Sequence, residues 1–161
     1  MKNGPLLRSF TVLCLCYFLA SCSKSSHAPS SATPVATVSF SANDSTIIYP
    51  DDLVYIQDVD STHTTLISAQ YSDTSAKQGS LGIRLLSDTT GRFTGSNLLA
   101  TYTDGNGNVY YNNGDSTNYV QIDKYPKTYN GVVSGNFAMT VSGSAGSIHL
   151  TNGSIIAIYQ Q

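Results

Sequence analysis

The chain is 161 residues long, with eight Lys and Arg, ten acidic residues and a formal net charge of −2 at pH 7. All ten acids are Asp and Glu is absent. So sparse and slightly acidic a charge set lacks the basic footprint that nucleic-acid binding requires. The longest apolar run, Phe10 to Ala20, covers 11 residues, short of the roughly 20 that a membrane-spanning helix needs.

That run follows Lys2 and Arg8 and ends in Leu19-Ala20-Ser21-Cys22. A charged start and a short apolar core are the pattern of a secretory signal. The aliphatic–small–small–Cys ending resembles the lipobox of bacterial lipoproteins, which implies cleavage after Ser21 and a diacylglyceryl group on the Cys22 thiol. A plain secretory signal with an incidental Cys is the alternative. Cys14 and Cys16 would leave with the signal, so Cys22 would be the one Cys of the mature chain. A lone thiol is out of place in an oxidising compartment, and acylation removes that conflict. Each buried CH₂ contributes about 0.8 kcal/mol, so several acyl chains make a durable anchor. Loss of Lys2 and Arg8 leaves six basic residues against ten acids, a net charge of −4.

Residues 23 to 34, SKSSHAPSSATP, have almost no apolar content and read as a flexible tether. Ser23, rather than Asp, follows Cys22. By resemblance to enteric sorting rules this favours the outer membrane. Without an acidic run after Cys22, the expected side is the periplasmic face, the cell surface being the alternative. Val35 to Gln161 is the length of one domain and can bury a core without covalent staples.

Within that domain, period-2 alternation predicts strands almost throughout. In chain order the alternating apolar stripes are Val38-Phe40-Ala42, Val54-Ile56, Ile67-Ala69-Tyr71, Leu81-Ile83-Leu85, Val120-Ile122, Val133-Gly135-Phe137-Met139-Val141, Ile148-Leu150 and Ile156-Ile158, with Val133, Phe137, Met139 and Val141 expected to face the interior. Turn residues separate them at Asn43-Asp44, at Asp104-Gly105-Asn106-Gly107, and from Tyr125-Pro126 to Asn130-Gly131. Asn152-Gly153, between SIHL and SIIAIY, carries the strongest hairpin signal. Nine or ten short, mostly antiparallel strands predict an all-β single domain, an antiparallel β-sandwich or alternatively a small β-barrel.

Tyr119-Val120-Gln121-Ile122, Val133-Ser134-Gly135-Asn136-Phe137, Leu150-Thr151-Asn152-Gly153-Ser154 and Ile158-Tyr159 together resemble small Gram-negative envelope lipoproteins. These form a β-sandwich domain-of-unknown-function family with an SGxF strand and a terminal TNGxF hairpin. The resemblance covers the last third of the chain well and the front loosely. Ile155 stands where an aromatic is usual, a departure at a packing position. What it implies is fold and envelope address; it carries no catalytic residues and no cofactor.

Chemistry-bearing groups are scattered. Asp104, Asn106, Asn108 and Asp115 loosely echo a calcium loop, although Val109 stands where such a loop has Gly; the competing reading is a turn bonded to its own backbone. Asp51, Asp52, Asp58, Asp60 and His63 form the densest ionisable cluster, with Asp58 and Asp60 expected on one strand face. His63 and His149 read as unlinked surface residues, too few for zinc. No nucleophile elbow is present, and Gly143-Ser144-Ala145-Gly146 reads as a strand connection. Ten Tyr fall in the domain, and Tyr102, Tyr110, Tyr111 and Tyr119 gather about one expected hairpin. Tyr favours both wet strand faces and binding surfaces, so these four form the candidate surface for an envelope protein or glycan partner. The expected function is a non-enzymatic, outer-membrane-anchored binding or structural module. The alternative is an Asp-dependent envelope hydrolase, with calcium at the Asp104 loop.

Overall fold

The computed structural model describes residues 35–50, 54–71 and 79–159, all within one compact unit, Thr33–Gln161. The signal, Cys22, the tether, Asp51 and Asp52 lie outside the described residues. The strands are β1 (Thr37–Ala42), β2 (Ser45–Tyr49), β3 (Val54–Val59), β4 (Thr64–Gln70), β5 (Ser80–Leu85), β6 (Gly91–Thr94), β7 (Leu98–Thr103), β8 (Val109–Asn112), β9 (Tyr119–Lys124), β10 (Val132–Gly143) and β11 (Gly146–Ile158). Helical structure among the described residues is limited to two 3-10 turns, Asp60–Thr62 and Gly95–Asn97. The scarcity of strong helix formers and the alternating pattern account for this.

The pairings are antiparallel, in the order β2-β1-β11-β10-β8-β7-β5-β4-β3, with β9 joining β10 and β6 joining β9. This one sheet curls into a nearly closed, barrel-like form around a single core. Phe40 on β1 is central to it. Its ring meets Tyr102 on β7 edge-on at 5.8 Å, Phe137 on β10 at 5.8 Å and Tyr49 on β2 at 6.1 Å. Since β1 and β7 are distant in strand order, the Phe40–Tyr102 contact crosses the interior. Beyond β4, Tyr71 donates its hydroxyl to the Ile48 carbonyl of β2 at 2.7 Å, covering part of an otherwise open sheet edge.

The long stripe on β10 is inward as expected: Val133, Phe137, Met139 and Val141 are buried. Gly135 provides the expected close approach, since a Cβ there would lie 2.1 Å from the Gln121 carbonyl oxygen. The last strand departs from expectation. Asn152-Gly153 is no hairpin: β11 runs unbroken from Gly146 to Ile158, and the hairpin turn lies instead at Ser144-Ala145, between β10 and β11. Asn152 has φ 52° and is one extra residue. Phe137 pairs with Gly153 and Met139 with Leu150, while Ser39 pairs with Ser154 and Ser41 with Thr151. Both neighbours thus see a β-bulge. One extra residue exchanges the two faces, so Ile155 and Ala157, rather than the alternating pair Ile156 and Ile158, are buried. Gly153 lies directly under the Phe137 ring, whose Cδ1 would be 2.4 Å from a Cβ.

Two further features escape the alternation pattern. β6, GRFT, is too short to show one. β10 also forks, pairing with β8 at Val141–Gly143 and with β9 at Ser134–Ala138. Thr140 falls in the gap between them, and the buried side chain of Asn118 substitutes for a strand there. Its Oδ1 accepts from the Thr140 N–H at 2.8 Å, and its Nδ2 donates to the Thr140 carbonyl at 3.1 Å. Asn112 does the same for β7, accepting from Ala100 N–H at 2.7 Å and donating to the Leu98 carbonyl at 2.8 Å. A side-chain amide has the donor and acceptor of a peptide group, so both gaps are satisfied without a strand.

Candidate functional site

The four tyrosines of the expected hairpin separate. Tyr102 on β7 and Tyr110 on β8 are directly paired, stacked at 6.1 Å between ring centroids, and buried. Tyr111, one residue on, is 58% exposed. Tyr119 begins β9, half-buried, with the Arg92 guanidinium carbon 3.7 Å from its ring centroid, a cation–π contact. No single surface carries all four. Strand alternation places Tyr110 and Tyr111 on opposite faces, and the interior claims both members of the Tyr102–Tyr110 pair.

The Asp104 loop is a self-bonded turn. Asp104 Oδ1 accepts the N–H groups of Asn106 and Asn108, both at 2.9 Å, while Oδ2 accepts from Asn108 Nδ2 at 2.9 Å and the Tyr110 hydroxyl at 3.1 Å. Burial disfavours the Asp104 charge, yet these four donors outweigh it and hold the carboxyl below its ordinary range. Asp115 belongs to a separate turn, where it accepts from the Thr117 N–H at 2.8 Å. Among the described residues, no three His, Cys, Asp or Glu gather as a metal site.

Asp58 and Asp60 are not on one strand, because β3 ends at Val59 and Asp60 opens a 3-10 turn. His63 is exposed and apart from His149, as expected, but it has a partner that the sequence did not single out. Its Nδ1 lies 3.1 Å from Oδ2 of buried Asp88, and the same oxygen accepts from Lys127 Nζ. Lys127, then His63, hold Asp88 ionised and its carboxyl below the ordinary range. This carboxylate ties the 86–90 connection to the β3–β4 turn and the β9–β10 loop. Ser87-Asp88-Thr89 reads in sequence as an ordinary polar turn, so only the fold reveals the cluster. His149 is separate, its Nδ1 3.0 Å from the Thr140 hydroxyl.

The surface best suited to a ligand lies on the outer face of β3, β4, β5, β7 and β8. Residues opposite one another there form a continuous row: Tyr55–Ser68–Gly82–Thr101–Tyr111. Exposed tyrosines flank its small-residue stretch, about 19 Å apart along the sheet at ordinary strand spacing; beyond Tyr111 the row continues to Ser142. Between the two tyrosines are only Ser, Gly and Thr, so the middle of the row is a trough. A depression of about 400 Å³ occupies it, lined by Leu66, Ser68, Gly82, Arg84, Leu99 and Thr101 among others. Leu66, Arg84 and Leu99 are opposite one another in the adjacent row and form one wall, and Leu99 is 49% exposed. Gly82 opens the floor. A Cβ there would come no closer than 4.0 Å to the Thr101 carbonyl oxygen, so the residue's smallness serves space outside the sheet rather than packing within it.

Sequence reasoning named Tyr111 and missed the rest of this row. The signal present in the sequence was the outward register of Tyr55, Leu66, Ser68, Gly82, Arg84 and Leu99. That signal becomes a site only once the strand order is known. Comparison with protein-family models, with curated proteins and with solved structures returned no match. Function is therefore read from the chain's own residues.

Proposed function

We propose that the chain is an exported lipoprotein, anchored through acyl chains on Cys22 to the periplasmic face of the outer membrane, whose β-domain is a non-enzymatic binding module. The outer trough between Tyr55 and Tyr111 carries the binding part of this reading. It offers exposed aromatic and aliphatic contacts around a small-residue floor on rigid strands, and pre-organised side chains lose less freedom on binding. The leader ending in Leu19-Ala20-Ser21-Cys22 supports the address, as does the resemblance to envelope lipoproteins of the SGxF pattern. The carboxylates Asp88 and Asp104 are engaged in holding loops and turns.

Two measurements test the reading separately. Cys22→Ser is expected to abolish incorporation of labelled palmitate and leave an uncleaved precursor; a processed mutant still held by membranes would remove the lipobox assignment. Hydroxyl-radical footprinting compares the protein in its native envelope with the purified full chain. Tyr55 and Tyr111 are expected to be protected in the envelope, while Tyr129, 70% exposed and outside the row, is oxidised equally in both. Equal oxidation of Tyr55 and Tyr111 in the two states would remove the trough as a contact surface.

A further inference from the structure

We infer that the trough binds an extended anionic glycan, a saccharide chain bearing carboxylate or phosphate groups. The inference rests on the trough being the contact surface, and it adds the class of ligand. Three observations carry it: the direction of the trough, the chemistry of its floor and flanks, and the charge on its wall.

The row Tyr55–Ser68–Gly82–Thr101–Tyr111 runs across the strands. The backbone groups beneath it are spent on the sheet ladder, whereas a peptide that adds to a sheet does so along an open edge, through free main-chain groups. Side chains alone must then do the recognising. The floor offers the Ser68 and Thr101 hydroxyls, which can donate or accept, with the bare backbone of Gly82 between them. Beside this floor stands the exposed ring of Tyr111, with Tyr55 at the opposite side. Hydroxyls beneath and aromatic rings to either side match a ligand with an apolar ring face and a hydroxyl rim, repeated along a line. The span of about 19 Å suits an oligomer rather than a single ring.

Charge decides between neutral and anionic. Arg84 stands in the wall between Leu66 and Leu99, exposed. Among the described residues its guanidinium has no ion-pair or hydrogen-bond partner. The lining residues of the depression include no acid. A planar cation in an otherwise uncharged trough complements a carboxylate or phosphate that it can bind bidentately.

The test uses the full chain, expressed with its own leader and purified in detergent. The probes are polygalacturonate, neutral dextran and an acidic random-coil peptide. Polygalacturonate is expected to bind and to outcompete dextran. Arg84→Gln should weaken polygalacturonate by about tenfold or more, the size of one charge-assisted contact, while leaving dextran unchanged. Gly82→Leu, which fills the trough from a position with room for a Cβ, should weaken polygalacturonate at least as much with an unchanged melting midpoint. Tyr111→Ala gives the same readout if Gly82→Leu fails to fold. Absence of polygalacturonate binding, or binding indifferent to Arg84→Gln, overturns the inference. Peptide binding that is lost in Gly82→Leu, without glycan binding, also overturns it while leaving the trough as a contact surface. Failure of the envelope footprint at Tyr55 and Tyr111 would instead remove the contact surface itself.

Discussion

Tyr110 and Tyr111 are adjacent in sequence and belong to different parts of the molecule. Tyr110 points inward, stacks on Tyr102 and donates its hydroxyl to Asp104 at 3.1 Å. Tyr111 points outward, in the row that starts at Tyr55. Across the same strands, the inner face is a close-packed set of rings around Phe40, and the outer face is a shallow trough over Gly82. Residue type therefore says little here about role; register says most. A tyrosine is structural where its ring is enclosed and its hydroxyl is satisfied from within. It is available for recognition where the neighbouring positions are too small to cover it.

The largest effect that sharpens this contrast is expected at Phe137, which touches Phe40 and lies over Gly153. Phe137→Ala should cost about 3–5 kcal/mol in chemical denaturation, a large share of a small domain's stability. Asn136→Ala, one residue away and exposed, should stay within about 0.5 kcal/mol. Similar losses at both positions would break the assignment of faces on β10.

A smaller effect is expected at the inner hydroxyl. Tyr110→Phe keeps the ring and removes one of four donors to Asp104, and should lower the thermal midpoint by about 3–6 °C. The same carboxylate predicts a pH dependence. Asp104 and Asp88 both have carboxyls held below their ordinary range in the folded chain. Their ionised forms stabilise the fold above the unfolded-state value, and that contribution is lost as pH falls through the lower folded-state values. The contribution of these two groups should therefore be constant above about pH 5 and decline below about pH 4. Asp104→Asn should make the acid decline shallower. An unchanged slope would mean that the turn does not depend on the charge.

The sequence made the inner face legible wherever alternation ran without interruption. The β4, β5 and β10 stripes follow directly from period-2 apolar residues, as does the all-β class. Legibility ended where a local signal had two structural meanings. Asn152-Gly153 favours positive φ, which serves a hairpin turn and a β-bulge equally well. Only the pairing of β11 with both β1 and β10 decides for the bulge, and the single extra residue then reverses every side chain after it. Asn112 and Asn118 look like turn residues because their work, replacing a missing strand, depends on strands distant in sequence. The outer trough was illegible for a similar reason. Its floor joins Ser68, Gly82 and Thr101 from three strands, and no window of the chain contains it. The site's one residue found in advance, Tyr111, was grouped with Tyr102 and Tyr110 by proximity in sequence, a grouping that alternation itself divides.

The smallest expected effect is the most discriminating. Tyr111 pairs with Thr101 on one side and Ser142 on the other, so no aromatic partner lies directly opposite it. Cross-strand pairs contribute roughly 0.2–1 kcal/mol relative to alanine pairs, and a ring beside Thr and Ser belongs at the low end of that range. Tyr111→Ser should therefore move the thermal midpoint by no more than about 2 °C, less than removing the hydroxyl alone from Tyr110. It leaves Gly82, Arg84 and the wall of the trough in place and takes away one of the two flanking rings. If the outer face is built for recognition, this nearly silent change in stability should still reduce retention of the full chain on immobilised polygalacturonate. A drop in midpoint as large as that of Tyr110→Phe would show instead that Tyr111 supports the sheet. The contrast between the two faces of β8 would then be one of exposure alone.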